Sequence, residues 1–242
     1  MSEKDSTSLD ILGVRPIGIA IETLTEASVK AAGAFLSRIC LPATEELGLL
    51  LRDRVTNWRA KNAVAMVQKA EEKLKTYPNA DKKFAHPRAI AAILENASWT
   101  DNLLVQEMWA GLLASSCTEE GKDESNLIFI NLLSQITSVE AKILDFSCNK
   151  ATKYVSKAGW IGATNLSVTL EELKKITGIS DIHRLDRELD HMTALELLPP
   201  LEGGFDSQST DADISPTSLA LQMYARCQGF NGSPVEYFGL KN

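Results

Sequence analysis

The stretch that most constrains this chain is Ser98-Trp-Thr-Asp-Asn-Leu-Leu-Val-Gln-Glu-Met-Trp-Ala-Gly-Leu-Leu-Ala-Ser-Ser-Cys117. It holds two of the four tryptophans, and Leu103, Leu104, Met108, Leu112 and Leu113 recur at the spacing of an inward helix face. Ser98, with Asp101 three residues on, resembles a capping box and predicts where this helix starts. Trp99 and Trp109 are both expected in the core. A helix this apolar needs neighbours, and the residues before it read as the helices that surround it.

Met1 to Asp10 is polar and reads as a disordered tail. The pattern then predicts a helix from Ile19 to Ile39. Glu22, Glu26 and Lys30 form one polar stripe, and the other faces are apolar or small. Such a helix either packs on its own protein or lies on a membrane or partner when released. The candidate residues for that contact are Ile17, Ile19, Ile21, Leu24, Phe35 and Leu36. Arg15, Glu22, Glu26, Lys30 and Arg38 interrupt the segment, whereas a spanning helix needs about 20 predominantly apolar residues. Neither a transmembrane helix nor a secretory signal is therefore expected.

Pro42 suits the first turn of the next helix, whose spacing carries it to about Thr76. Its basic residues are interleaved with Asp53, Glu71 and Glu72, which suits a solvated face. Tyr77 to Ala85 reads as a loop, Pro87 opens a short helix, Thr118 to Ser125 is a charged loop, and Ile128 to Ile136 is helical.

Thr137 and Glu140 form a second capping box, predicting a helix from Val139 to about Val155 that includes Tyr154. Thr169 and Glu172 cap the next helix and Gly178 ends it. A helix follows from Asp181 to about Met192. Leu195 to Leu201 reads as a strand turning at Glu202-Gly-Gly-Phe205, with its return hard to place between Asp206 and Asp213. Ser215-Pro216 starts a last helix to about Cys227, and Asn231 to Asn242 reads as irregular. Helix, short helix, turn, helix, hairpin, helix is the order of a winged-helix module. The expected fold is mainly α: a tail over 1–10, a helical domain over 11–136, a winged-helix-like module with a small β-hairpin over 137–228, and an irregular tail over 229–242.

In DNA-binding versions of that module the second helix of the turn enters the major groove. Here it carries Asp181, Asp186, Glu188 and Asp190 against Arg184 and Arg187, and carboxylates facing phosphates are unfavourable. The net charge of -7 also argues against non-specific coating of nucleic acid. Nucleic acid is thus disfavoured as a partner; any contact would fall to Lys174, Lys175, Arg184 and Arg187.

Signals for chemistry are sparse. Cys40, Cys117, Cys148 and Cys227 are far apart, and His86, His183 and His191 add no close ligand pair, so neither a zinc site nor another metal is expected. Glu107 is the one central carboxylate of the 98–117 stretch. Neither a phosphate-binding glycine loop nor a nucleophile elbow is present. No catalytic or cofactor-binding residue is assigned, no cofactor is expected, and the chain reads as a non-enzyme.

His86-Pro87, Leu104-Val-Gln-Glu-Met-Trp-Ala-Gly-Leu-Leu-Ala-Ser115 and Leu132-Leu-Ser-Gln-Ile-Thr-Ser-Val-Glu-Ala-Lys-Ile-Leu144 together resemble the abortive infection alpha family of bacterial phage-defence proteins. So do Leu49-Leu-Leu-Arg-Asp-Arg-Val-Thr-Asn-Trp-Arg59 and Ile214-Ser-Pro-Thr-Ser-Leu-Ala-Leu221. The resemblance spans about Ile39 to Cys227 and brings no catalytic motif. It implies antiviral defence through growth arrest or death of the infected cell. Expected partners are a phage or host protein, then a second defence protein, a membrane surface or a second copy of the chain. The expected location is the cytoplasm, with a peripheral contact at the inner membrane. The alternative is a winged-helix regulator of nucleic acid, or a protein adaptor.

Overall fold

A computed structural model describes residues 25–50, 56–200, 203–205 and 211–240 of the 242-residue chain. It is mainly α-helical with small antiparallel sheets. The chain divides into two compact units, residues 1–130 and 131–242.

The first unit opens with α1 (Glu26–Ile39). It starts at Glu26, where Thr25 is extended and its side chain accepts the Ser28 N–H; the earlier part of the expected helix, from Ile19 to Leu24, lies outside the described residues. The helix expected from Pro42 to about Thr76 is described as α2 (Pro42–Leu50) and α3 (Thr56–Lys75). A 3₁₀ turn (Ala80–Lys82) leads to β1 (Phe84–Ala85), α4 (Pro87–Ala97), α5 (Leu103–Ser115) and β2 (Cys117–Thr118), which pairs with β1.

From Val105 to Ser115 every residue of α5 but Glu107 is buried, as befits a helix that is apolar all round. Helix α3 packs on it, and Ala60, Ala63 and Ala70 are among the buried residues of α3. Burying one large apolar side chain contributes about 1.5–3 kcal/mol, so this packing outweighs any local preference at the helix ends.

Three expectations fail at the start of α5. Its N-cap is Asn102, whose Oδ1 accepts from the N–H groups of Leu104 and Val105 (3.1 and 3.2 Å). Ser98 instead ends α4, where its Oγ accepts from Arg59 and donates to the Glu95 carbonyl. Trp109 is 2% exposed and lies in the core, but Trp99 is 53% exposed and Leu103 72%.

Helix α6 (Leu127–Gln135) leads into the second unit. There α7 (Ser138–Lys150), β3 (Lys153–Val155), β4 (Ile161–Ala163), β5 (Ser167–Thr169), α8 (Leu170–Thr177) and α9 (Ile182–Ala194) follow in order. After them come β6 (Gly204–Phe205), β7 (Asp211–Asp213), α10 (Ser218–Cys227) and α11 (Pro234–Tyr237). Strands β3 and β4 form an antiparallel hairpin, and the second sheet runs in the order β5-β7-β6.

Helix α7 stops at Lys150, five residues short of the expected end, because Ala151 turns extended and Tyr154 joins β3. Leu195 to Pro200 does not form the expected strand, and Leu201 and Glu202 lie outside the described residues. Leu195 caps α9, Glu196 has φ +59°, and Leu197 and Leu198 are buried core residues. The return strand that was hard to place is β7. Helix α10 is capped by Thr217 instead of Ser215, whose Oγ accepts the Leu166 N–H. The C-terminal segment contains α11, where Tyr224, Phe230, Tyr237 and Phe238 form an aromatic cluster.

Candidate functional site

Two side-chain clusters among the described residues, one in each unit, join helices through several polar contacts each. In the second unit the centre is Glu140, at the third position of α7. Its side chain is fully buried. Glu140 Oε2 accepts the Thr137 N–H, and Glu140 N donates to Thr137 Oγ1, so the predicted capping box is formed. The other carboxylate oxygen, Oε1, lies 2.6 Å from His191 Nδ1 on α9. An ionised carboxylate only accepts, so this contact makes Nδ1 the protonated ring nitrogen.

The Thr137 hydroxyl donates to Glu188 Oε2 (2.6 Å), and Arg184 Nε reaches Glu188 Oε1 at 3.5 Å. A continuous chain of contacts therefore runs Arg184–Glu188–Thr137–Glu140–His191. It occupies the positive end of α7, where carboxylates are stabilised, and ties α7 to α9 across 51 residues of sequence.

A histidine held by a carboxylate is the arrangement that makes an imidazole a proton acceptor in hydrolases. Here the neighbouring hydroxyl is committed: Thr137 Oγ1 accepts a backbone N–H and donates to Glu188. That fits a structural clasp. Histidine at this position was legible only as a helix residue, because the signal lies in a long-range pairing.

In the first unit Arg59 is the hub. Its Nε donates to Ser98 Oγ (3.0 Å), its Nη2 to Glu95 Oε2 (2.7 Å), and its guanidinium lies 4.1 Å from the Trp99 ring centroid. Trp99 Nε1 donates to Glu95 Oε1 at 3.0 Å. The Trp99 hydrogen bond is the main influence holding the Glu95 carboxyl below its ordinary range; burial opposes it and Arg59 adds to it. Nearby on the helix surface, Glu107 bridges Lys69 and Lys73 at 3.0 and 3.1 Å.

The other residues singled out in the sequence are dispersed. Phe35 and Leu36 are buried in the first unit; Ile17, Ile19, Ile21 and Leu24 lie outside the described residues. Lys175, Arg184 and Arg187 are exposed, and Lys174 pairs with Glu171 at 2.9 Å. The four cysteines are buried. Burial pushes the Cys117 thiol up to about 12 and raises that of Cys148 as well, the opposite of a nucleophile's environment. Among the described residues no cluster of three or more His, Cys, Asp or Glu is placed to hold a metal, and no helix is long and apolar enough to cross a membrane.

The fold is thus that of a mainly α, two-unit protein whose polar clusters clamp helices together. The abortive infection alpha family model matches residues 59–214, from the second turn of α3 to just beyond β7, and the chain belongs to that family. No match is found among curated proteins or among solved structures.

Proposed function

We propose that this protein is a non-enzymatic component of anti-phage defence of the abortive-infection type. It acts by binding a phage or host component, or by engaging the inner membrane when triggered. The observation that carries this reading is the family match, which runs through both compact units. The commitment of Thr137, Glu140 and Glu188 to one another, and the raised thiols of Cys117 and Cys148, support a binding role over a catalytic one.

On this reading the protein works in the cytoplasm and reaches the inner membrane only peripherally. A membrane step that used Phe35 and Leu36 would require α1 to leave the core. That costs several kcal/mol by area, so the trigger must supply comparable differential affinity. A phage or host protein is the leading partner, with a second defence protein or a second copy of the chain as further candidates. The test is plating of a broad phage panel on cells with and without the protein. Reduced plating of at least one phage is expected; unchanged plating and survival throughout would refute the defence reading.

A second reading, a winged-helix adaptor, is favoured by the sheet order β5-β7-β6 and by the order α7, β5, α8, α9, β6, β7, into which the β3–β4 hairpin is inserted after α7. As a duplex binder it would use Lys174 and Lys175 of α8 with Arg184 and Arg187 of α9. A gel shift with random duplex at low salt, where the phosphate attraction is strongest, decides that use: no shift removes it.

A further inference from the structure

The β3–β4 hairpin presents two aromatic side chains that the fold does not use. Trp160 is 71% exposed and Tyr154 49%. The register pairs Val155 with Ile161 and Tyr154 with Gly162. Side chains alternate along a strand, and Ile161 is buried, with α10 packed on β4. The opposite face therefore carries Thr152, Tyr154 and Ser156 from one strand and Trp160, Gly162 and Thr164 from the other.

This face is built, not merely exposed. A Cβ at Gly162 would stand 2.7 Å from Tyr154 Cζ, so the absent side chain is what lets the phenol ring lie across the neighbouring strand. The backbone at Trp160 is held by the turn: Ser156 N donates to the Trp160 carbonyl (2.8 Å), and Trp160 N donates to Ser156 Oγ (3.1 Å). Tyr154 and Trp160 are diagonal cross-strand neighbours, a spacing of about 7–8 Å.

The stretch that forms this hairpin is itself basic. Between Asp145 and Glu171 the sequence holds Lys150, Lys153 and Lys157 and no carboxylate, in a chain of net charge -7. Asp145 itself accepts the Tyr224 hydroxyl. Helix α10, which packs on β4, contributes Arg226 and no carboxylate. Lys153 lies 4.9 Å from the Phe238 ring and donates to the Asn149 carbonyl, leaving Lys150 and Lys157 as the exposed cations.

We propose that this face binds single-stranded nucleic acid, with two successive bases stacked on Tyr154 and Trp160 and phosphates held by Lys150 and Lys157. Aromatic platforms flanked by cations bind single strands because every base offers a π-face, whereas duplex bases are already stacked. The Thr152 hydroxyl lies on the same face, while that of Thr164 donates to the Thr152 carbonyl and Ser156 Oγ accepts the Trp160 N–H. A lipid surface fits less well, since beyond Trp160 the hairpin tip, Lys157-Ala-Gly159, adds no second large apolar side chain to insert. The carboxylates that disfavour nucleic acid on α9 lie on a different element. The proposal rests on the defence reading only in that it names the component bound.

The experiment is fluorescence anisotropy of the full chain at low salt with labelled single-stranded oligo-dT and oligo-U, a duplex, and vesicles containing anionic phosphatidylglycerol. Single strands should bind better than duplex. Trp160→Ala and Tyr154→Ala should each weaken binding roughly 5- to 150-fold, Trp160→Phe should retain most of it, and the thermal midpoint should be unchanged in Trp160→Ala, whose side chain is the more exposed of the two. Meeting two phosphates, binding should fall roughly 5- to 10-fold between 50 and 200 mM salt. Absence of single-strand binding, binding indifferent to both alanine variants, or binding only to vesicles would each overturn the proposal. Because this assay contains no phage, its failure leaves the plating result to judge the defence reading separately.

Discussion

Replacing Glu140 by alanine tests the clasp between α7 and α9. The wild-type carboxylate is fully buried and accepts from the Thr137 N–H and from His191 Nδ1. Hydrogen bonds to a charged group contribute about 1.5–3 kcal/mol each, and a lost helix cap costs about 1 kcal/mol. The His191 side chain is 41% exposed, so water takes over much of its lost bond. The expected net loss is about 2–3 kcal/mol, confined at first to the second unit. Hydrogen exchange read by mass spectrometry on α7 and α9 peptides reports it locally. Exchange should quicken about 30- to 150-fold in those peptides, with α3 and α5 unaffected. Glu140→Gln, which keeps an acceptor for Thr137, should lose less than half of that free energy. Less than a threefold change in the alanine variant would refute the clasp.

Further outcomes follow from the same geometry. Thr137→Ala removes the hydroxyl that caps α7 and donates to Glu188, and should cost about 1–2 kcal/mol in denaturant titration. Gly178→Ala should cost about 1 kcal/mol through backbone strain alone, since φ is +79° and no atom lies within 4 Å of the added Cβ. For Glu107, burial works against the charge, but the Lys69 and Lys73 hydrogen bonds outweigh it and hold the carboxyl below its ordinary 4.5. The stability it contributes is present above about that pH and is lost as pH falls through the lower folded value. Glu107→Gln should therefore flatten the acid limb of a stability–pH curve, modestly because the pair is exposed to solvent. Finally, iodoacetamide should label Cys117 and Cys148 only in denaturant, as both thiols are buried and raised.

Features encoded within one turn of helix were legible in the sequence. The Thr137–Glu140 box, the Thr169 cap and the Gly178 stop stand where the residues place them. Local signals failed where a competing partner was stronger. Asn102 offers one oxygen to two N–H groups, so it displaces Ser98 as the cap of α5, and Ser98 is taken by Arg59 from 39 residues away. Tyr154 continues a helical spacing, yet pairing with Gly162 draws it into a strand. The joining of Glu140 to His191, and the stacking of Arg59 on Trp99, depend on contacts 51 and 40 residues apart. No window of periodicity contains such pairs.

The most direct test of the defence account is infection of expressing cultures at low and at high phage multiplicity, following cell density and released phage together. The account predicts survival of the culture at low multiplicity, and at high multiplicity collapse or arrest with little or no phage burst. Normal bursts at both multiplicities, with density falling as in cells lacking the protein, would contradict it.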